Sequence, residues 1–231
     1  MAALTLSRAS QLTNQKLQQF DLDVREGGAR ILAGVDEAGR GPLAGPVVCA
    51  AVIVRDPSLP FASRINDSKK LSAKARDAAY DEIQSRCAVA VSIKDHARID
   101  AINIYEATLE GMREAVEVLG QMTGPEGSEA AVGRPTLVLI DGPIKLAVRF
   151  PVRGIIGGDG QSMSIACASI TAKVTRDRMM MTFHEQFPQY GFDKHKGYGT
   201  AQHLAALREH GPCPIHRRSF SPITQMENLT A

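Results

Sequence analysis

Asp36 and Glu37, Asp141, and Asp159 lie far apart along the chain, yet each acidic position closes a short apolar run and sits beside glycine. The runs are Ile31 to Val35, Thr136 to Ile140 and Val152 to Ile156, and all three read as strands. In an open α/β sheet functional groups gather beyond the strand ends, so these acids are placed to converge. Four carboxylates at one point repel and raise one another's pKa unless a cation neutralises them. Hard oxygen ligands suit Mg²⁺ or Mn²⁺, and such clusters commonly hold two ions roughly 3.5–4 Å apart for in-line displacement at phosphorus.

Two observations weigh on this reading. Acids also end strands because they favour turns, and any one of these positions taken alone fits that explanation. Together, each next to a glycine turn, they point to a site. Neighbouring residues on a regular strand face opposite sides, so Asp36 and Glu37 can share a site only if the chain turns at Glu37. Gly39 and Gly41 make such a turn expected. The run Gly39-Arg40-Gly41-Pro42-Leu43-Ala44 matches the GxGxxA form of a dinucleotide loop, but that motif needs a helix directly after it. Pro46 and a Val/Ile-rich run follow instead, so the match is rejected.

The elements that must position the acids can be read from periodicity. Pro46 to Val54 predicts a buried strand, paired antiparallel with the first around one tight turn, and Ala88 to Ile93 predicts a third. Ser72 to Cys87 reads as a helix capped by Ser72. Asn103 to Leu119 reads as another, with Asn103 and Glu106 at capping-box spacing and a stripe of Leu109, Met112, Val116 and Leu119. Gly120 to Pro135 has loop composition. Ser162 to Phe187 predicts a long helix whose small residues suit close packing on a sheet, and Thr200 to His210 a last helix stopped by Gly211-Pro212. Three strands followed by helices alternating with two more give α/β architecture: a mixed five-stranded sheet flanked by helices. Residues 1–29 read as an N-terminal extension, helical around Leu12 to Phe20. Residues 30–187 read as the core, and 188–231 as a helical, substrate-contacting part of the same domain.

A chain of 231 residues with 44% hydrophobic and 23% charged residues is ordinary for a globular fold, which excludes whole-chain disorder. The longest apolar run, Val47 to Val54, is too short to span a bilayer, and no secretory pattern opens the chain. The scattered Cys49, Cys87, Cys167 and Cys213 form no CxxC pair and read as reduced thiols, so the expectation is a cytoplasmic protein with no membrane partner. No edge or apolar face demands a partner, so a monomer is expected. From Lys173 onward basic residues outnumber acids and five of the six histidines join them, as a phosphate-backbone surface or simply a solvated face would have.

With these residues in view, Gly34-Val-Asp-Glu-Ala-Gly-Arg-Gly-Pro-Leu-Ala-Gly-Pro-Val47 resembles the signature of the type 2 ribonuclease H (ribonuclease HII) family. The blocks Asp67 to Leu71 (DSKKL), Asp141-Gly142, Ser164 to Asp177, His195 to Thr200 (HKGYGT) and His216 to Phe220 (HRRSF) resemble its others, in order, from about Ile31 to Ile223. The resemblance implies an RNase H-like fold with a small C-terminal helical extension, with Asp36, Glu37, Asp141 and Asp159 as the metal-binding catalytic set. It implies an endonuclease acting on RNA–DNA hybrids and on DNA duplexes with embedded ribonucleotides. That enzyme would cut 5′ of the ribonucleotide to leave 3′-hydroxyl and 5′-phosphate ends. It also implies that Gly39, Arg40 and Gly41 contact the ribose 2′-hydroxyl, the group that separates RNA from DNA, and that Tyr198 packs on the neighbouring sugar. Ser68, Lys69, Lys173 and Lys196 are candidates for phosphate contacts. Asp177 fits either a salt bridge or a substrate role, and His195 either a proton shuttle or a surface histidine. One position departs from the family: Gly157 stands where a lysine usually precedes Gly158-Asp159.

Two other functions stay open at this level, because a fold does not set its substrate. A junction-cutting nuclease on the same fold would cleave all-DNA branched substrates. A non-catalytic hybrid-binding module would bind without metal, although retained acids would repel a phosphate backbone.

Overall fold

The computed structural model describes residues 7–56, 60–61, 63–122 and 134–228. Within them the chain runs through helix α1 (Arg8–Glu26) and strands β1 (Leu32–Ala38) and β2 (Val47–Val54). Helix α2 (Ala73–Arg86), strand β3 (Cys87–Lys94) and helices α3 (His96–Ile102) and α4 (Ile104–Gln121) follow. Strands β4 (Leu137–Asp141) and β5 (Val152–Ile155) then lead into the long helix α5 (Met163–Gln186). Short helices α6 (Phe192–His195), α7 (Ala201–His210) and α8 (Ile223–Asn228) complete the order. The expected mixed five-stranded sheet forms in the order β3-β2-β1-β4-β5. β2 is antiparallel to both neighbours, whereas β1, β4 and β5 run parallel. Among the described residues no helix is long and apolar enough to cross a membrane.

Strand alternation builds the layers. All eight residues of β2 are buried. Val48, Ala50, Val52 and Val54 face a core shared with α2 and α5, while Val47, Cys49, Ala51 and Ile53 face one shared with α4. The central strand is therefore apolar throughout because helices cover both faces. On β1, Gly34 lies directly against the start of α5. A Cβ there would lie 2.1 Å from the Ser164 carbonyl carbon, which only glycine avoids. The small residues at the start of α5 serve this contact.

Helix starts follow the capping chemistry. Ser72 accepts from Ala75 N, Ser162 from Ile165 N and Thr200 from His203 N. Asn103, held at φ 69°, accepts from both Tyr105 N and Glu106 N. The expected turn between the first two strands is instead the segment 39–46, which also bridges Ala44 to His216. α3 was not foreseen; seven residues are too few for a clear stripe. The expected loop from Gly120 begins later, since α4 runs through Gln121, and 123–133 lie outside the described residues. All four cysteines are buried and free. A small separate core around Tyr190, Phe192, Leu207 and Ile215 holds the C-terminal helices together.

The N-terminal helix is longer than its central pattern implied, and it is tied to the core by two polar side chains. Asn14 accepts from Ile65 N and donates to Ser63 O, both at 2.9 Å. Asp21, 2% exposed, accepts from Ser162 Oγ, Ser164 N and Ser164 Oγ at 2.6, 2.9 and 2.6 Å. Burial raises the Asp21 pKa while the two serines act against it. This places a carboxylate at the start of α5, where helix N–H groups favour negative charge. Asp21→Ala leaves three buried donors without their acceptor and is expected to lower stability by about 2 kcal/mol. In the same urea titration Leu12→Ala, at a half-exposed position of the same helix, stays within about 0.5 kcal/mol of the parent.

Candidate active site

Parallel pairing brings the acids together. Val35 of β1 lies opposite Ile140 of β4, so Asp36 and Asp141 leave the sheet at the same end. β5 runs parallel beside β4, and the chain then turns through Gly157, at φ 63°, into a 3-10 turn over Gly158–Gly160 that carries Asp159. Asp141 Oδ1 accepts from Gly158 N at 2.6 Å, locking that turn against the strand. One carboxylate oxygen each from Asp36, Asp141 and Asp159 lies within 4.8 Å of the other two. Asp159 therefore reaches the site from a turn beyond its strand rather than from the strand end.

Glu37 corrects an expectation. β1 does not turn there: Glu37 pairs with Cys49 and Ala38 with Val48 in regular register. Glu37 nevertheless borders the same cleft as Asp36, and the two carboxyl groups are close enough to interact. Its Oε1 lies 3.4 Å from Arg40 Nη1, beside the three-acid cluster rather than within it.

The electrostatics are those of a site short of positive charge. Burial holds the Asp36 carboxyl well above the usual range, and the charges of Glu37 and Asp141 push it further. Asp159 is raised by burial, then by Asp67 and Asp141. Burial raises Glu37 too, and Arg40 only partly offsets it. Lys69 shows the complementary effect: burial works against its charge, but Asp67, Asp159, Asp36 and Asp141 outweigh it and raise its pKa. Lys69 thus stands in the field of the acids on a chain that has Gly157 where the resembling family has lysine. The donor set, hard carboxylate oxygens with none of them neutralised by arginine except Glu37, fits Mg²⁺ or Mn²⁺.

Most of the other expected residues line one cleft of about 400 Å³. Asp36, Glu37, Gly39, Arg40, Gly41, Ser68, Lys69, Lys173 and Tyr198 all border it. Tyr198 is 45% exposed, and its ring lies 3.7 Å from where a Gly41 Cβ would be. Lys173 bonds Asp177 at 2.7 Å, which resolves Asp177 as a salt-bridge partner. Lys196 lies outside this cleft, in an adjoining depression with Lys173, Arg76, Arg178 and Lys194. Its ammonium bonds the Asp193 carbonyl. His195 is half-buried: its Nε2 bonds Tyr190 O at 2.7 Å and its Nδ1 accepts from Gly197 N.

Sequence reasoning missed Ser169, Arg176 and Arg217. Ser169 lines the cleft, bonds Ser68 at 3.1 Å and lowers the Asp36 pKa. Arg176 and Arg217 are 1% and 0% exposed, and each donates to three backbone carbonyls. Arg176 reaches Pro46, Ala44 and Lys196; Arg217 reaches Gly45, Arg40 and Gly39. Burial lowers Arg176 to about 10 and Arg217 to about 9, so both stay charged at neutral pH. Gly39, at φ 100°, makes room for the first: a Cβ there would lie 2.1 Å from Arg176 Nε. A planar trans peptide points its C=O and N–H in opposite directions. With the carbonyls of Gly39 and Arg40 drawn inward to Arg217, the N–H groups of Arg40 and Gly41 turn outward. An exposed-looking arginine in a basic stretch gave no signal of this.

Residues 33–223 match the family model described as ribonuclease HII. The chain belongs to the ribonuclease HII family. A ribonuclease HII of Geobacter metallireducens is 51% identical over 214 residues, covering 91% of this chain and 93% of that one. The fold also matches the ribonuclease H2 of Pyrococcus horikoshii OT3, with TM-score 0.67, 23% identity and coverage of 86% and 98%. A further match is Bst-RNase HIII in complex with Mn²⁺, with TM-score 0.63, 17% identity and coverage of 86% and 70%. Membership makes the chain a divalent-metal-dependent nuclease acting on RNA–DNA hybrids.

If the three carboxylates hold a cation, binding must stabilise the fold by mass action, about 2.7 kcal/mol at a hundredfold excess over Kd. Mn²⁺ or Mg²⁺ is expected to raise the melting temperature of the parent protein and to leave that of Asp36→Asn nearly unchanged. Equal rises in both proteins would place the cation elsewhere.

Proposed function

We propose that this ribonuclease HII incises the ribonucleotide-containing strand of RNA–DNA hybrids and of DNA duplexes with embedded ribonucleotides. The cut falls 5′ of the ribonucleotide and leaves 3′-hydroxyl and 5′-phosphate ends. The observation that carries this reading is adjacency: Asp36, a member of the three-acid cluster, borders the same cleft as the Gly39–Gly41 turn, with Tyr198 beside Gly41. Acids that would gather cations and a turn that would meet the sugar thus meet at one cleft.

Asp36, Asp141 and Asp159 would hold the divalent cations, with Glu37 completing the acidic set from beside them. When bound, two such ions supply Lewis-acid activation of water and of the scissile phosphate. The Mn²⁺ complex of the Bst-RNase HIII neighbour supports a cation of this class. The outward amides of Arg40 and Gly41 meet the ribose 2′-hydroxyl, and the absence of side chains at Gly39 and Gly41 lets the backbone approach it. The Tyr198 ring packs on the sugar that follows and favours a deoxyribose. Ser68, Lys69 and Lys173 line the path of the phosphates, with Lys196 further along the same basic surface. The protein acts as a monomer in the cytoplasm, where its use is removal of ribonucleotides misincorporated into DNA.

A DNA duplex carrying one ribonucleotide, end-labelled and incubated with Mg²⁺ or Mn²⁺, is expected to show one incision 5′ of that position. Asp36→Asn is expected to lower the rate by roughly a hundredfold or more. Undiminished cutting by this variant, or cutting of all-DNA branched substrates in place of the ribonucleotide duplex, would overturn the proposal.

A further inference from the structure

Three histidines that the cleavage chemistry does not use lie directly behind Tyr198. His203 and His216 are fully buried, and His195 stacks on His203 with ring centroids 4.6 Å apart. Each imidazole meets a partner whose hydrogen-bonding role is set by its chemistry, so the tautomers can be deduced. Cys213 N–H donates to His216 Nδ1 at 2.9 Å, so that nitrogen bears no proton. The Cys213 carbonyl, 3.3 Å from the same nitrogen, already accepts from His216 N at 3.0 Å. The His216 proton must therefore sit on Nε2, from which it reaches His203 Nε2 at 2.9 Å. His203 Nε2 then accepts, and the remaining His203 proton sits on Nδ1, 3.0 Å from the Tyr198 carbonyl oxygen. Gly197 N–H donates to His195 Nδ1, which leaves the His195 proton on Nε2, facing Tyr190 O at 2.7 Å.

We propose that this chain of neutral, tautomer-locked imidazoles makes His203 and His216 positioning residues for Tyr198, and hence for discrimination of the sugar next to the cleaved ribonucleotide. The inference rests on the sugar-packing reading of Tyr198 given above. The direction of the chain is one-way: Cys213 amide to His216 to His203 to the Tyr198 carbonyl. That carbonyl receives a second bond from Thr200 N at 2.8 Å, so the Tyr198 peptide is fixed from two sides while its ring is left exposed to the cleft. The preceding residues need this hold, because Lys196 sits at φ 50°, a conformation a non-glycine residue rarely adopts unaided. An added proton, on His203 Nε2 or on His216 Nδ1, would set two donors against each other. The surroundings oppose it, since burial lowers both His203 and His216 to about 4.

Two measurements on the full chain test this. Long-range ¹⁵N–¹H correlation at neutral pH is expected to show His216 and His195 protonated on Nε2 and His203 protonated on Nδ1. Any other tautomer for His203 or His216 overturns the chain, whatever the activity data give. The second measurement is the ratio of incision rates on a duplex with one ribonucleotide, followed by deoxyribose, to those on a continuous RNA–DNA hybrid. His203→Phe keeps the ring volume but removes both hydrogen bonds, and is expected to lower that ratio by about tenfold while hybrid cleavage persists. Tyr198→Ala should lower it at least as far. If Tyr198→Ala changes the ratio and His203→Phe does not, the positioning role is wrong. If Tyr198→Ala leaves the ratio unchanged, the sugar-packing reading fails and His203 has no selectivity to position.

Discussion

Three carboxylate oxygens within 4.8 Å, in a site that burial and mutual repulsion make hostile to negative charge, cannot all stay ionised without a cation. The rest of the structure is arranged to keep them there. Parallel pairing of β1 with β4 sets Asp36 beside Asp141, and Gly158 N holds Asp141 so that the next residue, Asp159, faces both. The contact of Gly34 with Ser164 lets α5 lie against β1, and Asp21 from α1 caps the start of that helix three residues after Asp159. α1 is in this sense part of the site's support.

The opposite charge is handled differently a few residues away. Arg176 and Arg217 are cations buried among backbone carbonyls, where each hydrogen bond is made to a dipole rather than to an acid. Burying a charge is tolerable only with such saturation. The result is a loop from Gly39 to Pro46 held from behind, with the Arg40 and Gly41 amides turned away from the buried guanidinium. Acidic and basic halves of the site thereby do separate work: the carboxylates converge on one point, and the guanidiniums shape the Gly39–Gly41 turn, which we propose meets the sugar.

Much of this was legible in the sequence because strand alternation and capping are local. β2, the caps at Ser72, Asn103, Ser162 and Thr200, and the convergence of Asp36 with Asp141 all follow from residue types within a few positions. What failed was long-range. The chain was expected to turn at Glu37, but β2 pairing holds β1 straight through Ala38, and Glu37 borders the Asp36 cleft without that turn. Arg176 and Arg217 look like members of a basic surface, and only the folded chain shows that they point inward. His195, read as either a shuttle or a surface group, is half-buried and bonded to Tyr190 O and Gly197 N.

The central claim, that the three aspartates form a divalent-cation pocket, is tested most directly by anomalous diffraction from crystals of this protein grown with Mn²⁺. The account requires an anomalous peak bonded to Asp36 and Asp141, with Asp159 at ligand distance of that ion or of a second one nearby. A well-ordered site with no peak at saturating Mn²⁺, or a peak held only by residues away from these three, would contradict it.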